Sequence, residues 1–182
     1  NKVTEHEGGY VPFSADITDA VKPGESARIT VRAVDRTDPD LPTGKQIGWY
    51  TQTGGIWQTV YLESRLESAV LSSHVYPDID KGEAQFKIRL TIAKSGPYNV
   101  TVNAKHGGLE HVISKTNDFA VGEQSAEFIL PIPNPALWSP DEPNLYDATI
   151  ELAQNYKTMD TVHTYFGMRK ISVMNLPNTK YP

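Results

Sequence analysis

The chain has 182 residues, a formal net charge of -5 and no cysteine, and its 38% hydrophobic and 21% charged residues supply a core without the charge excess of a disordered chain. No cluster of lysines and arginines offers a footprint for nucleic acid or an anionic bilayer, and no apolar run reaches the length of a membrane span, so neither partner is expected. Disulfides and thiolate metal sites cannot form.

The 13 glycines and 13 prolines punctuate short segments of alternating polarity, and hardly any window repeats apolar residues at helical spacing. The expectation is an all-β chain. Taken in order, YVPFSADIT at 10–18, a Pro-Gly-Glu turn at 23–25, SARITVRAV at 26–34, a long polar loop at 35–55 and IWQTVYLES at 56–64 read as three or four strands. So few strands cannot close a sandwich. They are expected to form the C-terminal part of a jelly roll, whose eight strands need about twice as much chain.

Beyond a boundary near residue 65 the rhythm becomes regular. AVLSSHVYP at 69–77 comes first, followed by 86–92, where Phe86, Ile88, Leu90 and Ile92 face one way and Lys87, Arg89 and Thr91 the other. YNVTVNA at 98–104, HVISKTNDFAV at 111–121, SAEFILPI at 125–132, YDATIELA at 146–153 and TVHTYFGMRKISV at 161–173 complete seven strands. Seven short strands in roughly 100 residues are the size and rhythm of an immunoglobulin-like β-sandwich. The domain plan is therefore a partial jelly roll at 1–65, a sandwich at 66–171 and a linker at 172–182. The ends, NKVTEHEGG without an initiator methionine and NLPNTKYP, suggest a piece of a longer protein.

Chemistry is harder to find. Glu5 and Glu7 flank His6, and Asp35, Asp38 and Asp40 crowd the polar loop, but these carboxylates lie among turn formers, as solvated loop charges do. Neither DRTDPD nor PDIDKGE at 77–83 has calcium-loop spacing, and His6, His74, His106, His111 and His163 show no zinc spacing. No catalytic residue, metal or cofactor is assigned. The sequon Asn99-Val100-Thr101 lies inside an expected strand and is set aside.

The aromatic loop GKQIGWYTQTGGIW at 44–57 has the composition of a sugar-binding surface, since sugars pair hydroxyls with amides and ring C–H groups with aromatic faces. Trp57 is expected to anchor the strand entrance, with Gly54 and Gly55 supplying backbone angles closed to larger residues. Gln46, Trp49, Tyr50 and Gln52 are the candidates for substrate contact. Trp138, in a connector stiffened by Pro133, Pro135, Pro140 and Pro143, is expected to brace a core or domain interface.

Four phrases occur in a telling order: HEGGYVPFSADITD at 6–19, GKQ followed by GGIWQTVYLE at 54–63, LWSPDEPNLY at 137–146 and YFGMRKI at 165–171. Together they resemble glycoside hydrolase family 2, the β-galactosidases, β-glucuronidases and β-mannosidases. The resemblance implies the end of a sugar-binding jelly roll, an immunoglobulin-like sandwich and the approach to a downstream (β/α)8 barrel, which this chain lacks. It further implies a retaining mechanism, whose acid/base and nucleophile glutamates have no counterpart here. In several family members a loop of the first domain reaches the barrel pocket, and KQIGWYTQTGG matches it. Where some β-galactosidases place a carboxylate there, this chain offers Trp49 or Tyr50, which puts galactoside specificity in doubt. The implied partners are a carbohydrate substrate, through the intact enzyme, and the barrel. Unpaired strand edges at 1–65 add an edge-paired or swapped homo-oligomer. The alternative is an independent carbohydrate-binding or adhesin-like sandwich module, which fold alone cannot separate from the first reading. Localisation is left unassigned.

Overall fold

The computed structural model describes residues 2–34, 40 and 54–173. By contact it divides into a first unit up to Tyr61 and a second from Leu62. In the first, Pro23 and Gly24 make the expected turn: Glu25 N donates to Lys22 O at 3.1 Å, and Gly24 takes φ 82°, an angle suited to glycine. A short 3-10 turn at Thr18–Ala20 follows Asp16, whose carboxylate accepts from Thr18 N at 2.9 Å and Thr18 Oγ1 at 2.6 Å.

The strands expected at 10–18, 26–34 and 56–64 do not form. Among the described residues these stretches have no ladder, and Ile29, Val31, Val60, Tyr61 and Leu62 are exposed. Alternation prepares one face for burial, but a strand exists only where a neighbour supplies donors and acceptors for its backbone. None does so here among the described residues.

The second unit is an antiparallel sandwich of seven strands: β1 Ala69–Asp78, β2 Glu83–Ile92, β3 Gly96–His106, β4 Leu109–Phe119, β5 Gly122–Pro131, β6 Tyr146–Gln154 and β7 Lys157–Phe166. One sheet runs β1-β2-β5, the other β4-β3-β6-β7. The fourth strand has joined the β3 sheet, whereas in immunoglobulin constant domains it pairs with the fifth. All seven expected strands are present. The last is shorter than its sequence suggests, because Met168 leaves β6 and bridges Leu137 of the connector instead.

Strands β2, β3, β5 and β6 carry the core in strict alternation. Phe86, Ile88, Leu90 and Ile92 of β2 meet Ala126, Phe128 and Leu130 of β5, opposite Tyr98, Val100, Val102 and Ala104 of β3 and Tyr146, Ala148, Ile150 and Leu152 of β6. Each fully buried Leu or Ile in this layer contributes about 2 kcal/mol. Phe166 joins the sheets, edge-on to Phe86 with centroids 5.5 Å apart and stacked on Tyr146 at 5.3 Å.

The open side of the sandwich is closed by a carboxylate. The β1–β2 register shifts between Val70 and Ser72, and Val70 N donates to Asp160 Oδ2 of β7 at 2.8 Å, tying the edge of one sheet to the edge of the other. Val70 is 1% exposed, so without this acceptor its N–H would be buried and unsatisfied. Asp160→Ala should therefore cost about 2 kcal/mol, read in urea as a lower midpoint with unchanged slope.

Candidate functional site

Gln46, Trp49, Tyr50 and Gln52 lie outside the described residues, as do Asp35 and Asp38. What is described is the frame of their loop. Gly55 has φ 125°, which an L side chain rarely adopts, so it makes the turn into 56–64 as its sequence position suggests. Trp57 Nε1 donates to Gly9 O at 2.8 Å, pinning the loop's end to the His-Glu-Gly-Gly segment 48 residues earlier in the chain. In that segment His6 stacks on Phe13 with centroids 4.6 Å apart, and Glu5 pairs with Lys2.

Several other carboxylates are tied into the surface. Asp78 Oδ1 accepts from Asp80 N and Lys81 N at 3.1 Å each, shaping the β1–β2 turn, and Lys81's backbone N–H and side chain hold its pKa below the ordinary carboxylate value. Asn103 and then Lys105 lower Glu110 on the outer face of the second sheet, and Thr18 lowers Asp16. A glycosidase acid needs the opposite shift, produced by burial. Glu110, Lys105 and Asp147 form one row across β4, β3 and β6, so the two carboxylates flank a lysine on an open sheet rather than face each other across a cleft.

The histidines are likewise used locally. His106 Nδ1 lies 2.8 Å from Leu145 O, His106 and His111 approach the Tyr146 ring at 5.0 and 6.4 Å, and His163 Nδ1 lies 3.3 Å from Thr149 Oγ1. Among the described residues no three His, Asp or Glu side chains gather to hold a metal. Asn99 of the sequon is engaged by Thr101 and Ser114, each donating to its Oδ1 at 2.9 Å.

The densest arrangement lies at the end of the sandwich from which β7 leaves. Trp138 N donates to Met168 O at 2.9 Å, and Met168 is fully buried. Gly167 faces the Trp138 side chain so closely that a Cβ would lie 3.0 Å from Trp138 Cβ, and the Arg169 guanidinium sits 5.1 Å from the indole centroid. Tyr146 OH accepts from Ala136 N at 2.8 Å, fixing the connector beside the indole. Trp138 is thus a brace, as its proline setting suggests. The sequence does not announce Gly167 as its seat or Asp80 as the partner of Lys170, which the structure pairs across 90 residues.

The family model described as glycosyl hydrolases family 2 matches residues 65–169, which is the sandwich. The chain is 29% identical over 175 residues to a β-galactosidase of Thermoanaerobacter pseudethanolicus, covering 93% of this chain and 23% of that protein. A β-glucuronidase of Bacteroides fragilis is 28% identical over 183 residues, with coverage of 92% and 26%. Among solved structures, a Bacteroides fragilis protein superposes with a TM-score of 0.70 at 22% identity, covering 94% of this chain and 28% of the other. A β-D-mannosidase of Dictyoglomus thermophilum gives 0.60 at 25% identity, with 70% and 17% covered. The chain therefore spans about a quarter of the length of relatives that it matches along nearly its whole extent.

Two outcomes are expected. Gly167→Ala should destabilise the sandwich by about 1–3 kcal/mol, because neither the glycine backbone nor the indole can retreat without disturbing Met168; thermal unfolding checks this. In an acid titration followed by NMR, Asp78 should protonate with a midpoint below that of a free aspartate. The order that its carboxylate gives the turn is present above the ordinary carboxylate range and is lost as pH falls through the lowered value, so the amide signals of Asp80 and Lys81 should move in the same step.

Proposed function

The chain belongs to glycosyl hydrolases family 2, and on that premise we propose that it is the non-catalytic β-sandwich portion of a retaining glycosidase that cleaves O-glycosidic bonds of β-linked sugars. The observation that carries this reading is where the family match falls. It lies on the sandwich, while the whole chain accounts for only 23% of a matched β-galactosidase. A retaining glycosidase needs an acid of raised pKa facing a nucleophilic carboxylate roughly 5 Å away. Among the described residues, the carboxylates with shifted pKa, Asp16, Asp78 and Glu110, are all lowered.

In this reading residues 1–65 complete a sugar-binding jelly roll, 66–171 are the immunoglobulin-like brace, and 172–182 lead to a (β/α)8 barrel that carries both glutamates. Gln46, Trp49, Tyr50 and Gln52 reach the barrel's pocket and touch substrate through amide hydrogen bonds and aromatic faces. The role of Trp57 and Gly55 is then to hold that loop's root while the loop projects.

The test compares two purified proteins on a panel of chromogenic β-galactosides, β-glucuronides and β-mannosides. The 182-residue chain should show no turnover, and the full-length product of its gene should cleave at least one substrate with retention. Turnover by the short chain would place the catalytic groups here. A full-length product that binds sugar without cleaving it would favour a carbohydrate-binding module.

A further inference from the structure

The chain could be released from the sandwich after Met168, the last core residue, which is fully buried. It is not released there. Arg169 and Lys170 are both exposed along the backbone, yet their side chains reach back to two separate parts of the sandwich. Arg169 lies over the Trp138 indole, and Lys170 pairs with Asp80 of the β1–β2 turn. In extended chain, successive side chains point to opposite sides, so neighbouring residues held at two anchors block rotation about the chain as well as bending. One anchor would leave a swivel.

Both anchors are themselves fixed. Asp80 sits in a turn that Asp78 holds through the backbone N–H groups of Asp80 and Lys81, and Ile132 N donates to Gly82 O at 2.7 Å, fastening that turn to the start of the connector. At the connector's other end, Trp138 is held by Met168 and Gly167. Turn, connector and exit segment thus form one linked structure at the end of the sandwich. Among the described residues past Lys170, Ile171 and Val173 are 84% and 83% exposed.

We infer that Arg169 and Lys170 are positioning residues: with Trp138 and Asp80 they set the direction in which the polypeptide leaves the sandwich, and so the orientation of the unit that follows it. This rests on the reading above that a catalytic barrel follows. Neither side chain touches substrate. Their contribution to stability is small, because both contacts are exposed and screened by solvent. Geometry and stability should therefore separate experimentally.

The absence of cysteine permits site-specific spin labels in the 182-residue chain. Ser125→Cys on β5 and Val173→Cys beyond the exit, both exposed, give a pair for pulsed electron spin resonance distances. The unsubstituted background should give a narrow distribution. Arg169→Met combined with Lys170→Met should broaden it while moving the melting temperature by no more than about 4–8 °C, the response of a domain of about 100 residues to a small destabilisation. The swap of Asp80→Lys with Lys170→Asp, in a chain that keeps Arg169, should restore the narrow distribution that Lys170→Asp alone loses. An unchanged distribution in the double variant overturns the inference, as does broadening that appears only when the fold itself melts. In the full-length protein the double variant should lower kcat about tenfold, since misplacement by about an ångström remote from the chemistry costs up to a hundredfold, and the swap should recover most of the loss. Unaltered kcat in an active full-length enzyme would refute the positioning role. A full-length protein inactive from the outset would refute the glycosidase reading instead, and the label distances would then decide the positioning claim by themselves.

Discussion

Two sheets can share one dry layer only if the strands in the middle of each keep every second residue apolar, and this constraint organises the sandwich. β2 and β3 satisfy it over their full lengths, each with four large or medium apolar side chains that are almost completely buried. β6 does the same beside β3, and β5 also alternates strictly although it is an edge of its three-stranded sheet. The other edge strands are held to a looser standard. β4 turns only part of one face inward, through Ile113 and finally Phe119, and leaves Leu109 and Val112 exposed. Its charged and hydroxyl residues are those expected of an edge that must not recruit another strand.

The central layer frees the periphery for other tasks. On the outer face of the first sheet, Arg89 pairs with Glu123 at 2.6 Å and Lys87 with Glu127 at 3.7 Å, cross-strand contacts that add little stability and keep the face wet. At one side Asp160 repairs the donor freed by the β1 bulge. At the exit end, the proline-rich connector places Trp138 over Gly167, where the lack of a side chain allows backbone and indole to approach. In each place a single residue resolves a local conflict created by closing two sheets around one core.

The same economy separates structural from chemical roles. The charge cluster PDIDKGE, which looks suggestive in the sequence, proves to be a turn held by Asp78, and Glu110 near the β3–β4 turn lies in a surface ion pair with Lys105. Their pKa shifts run toward ionisation, as expected for carboxylates accepting hydrogen bonds in water. A sandwich built this way suits support and orientation, and its exit segment carries more specific contacts than core closure requires.

Periodicity by itself determined the seven strands of the sandwich, the inward face of β2 and the all-β class, because alternation is a local property with one buried solution once a second sheet is available. Glycine and proline placement likewise marked the turn at 23–25, the bend at Gly55 and the stiff connector that carries Trp138. Only the tertiary structure decided which strands pair, that β4 joins β3, where β7 ends, that Asp160 and Gly167 close the fold, and that Asp80 pairs with Lys170. Those contacts join residues as much as 90 positions apart, and no local pattern encodes a partner at that distance. The segments at 10–18, 26–34 and 56–64 make the converse point: they have the alternation of strands, but a strand also needs a neighbour for its backbone, and a pattern internal to one segment does not supply one.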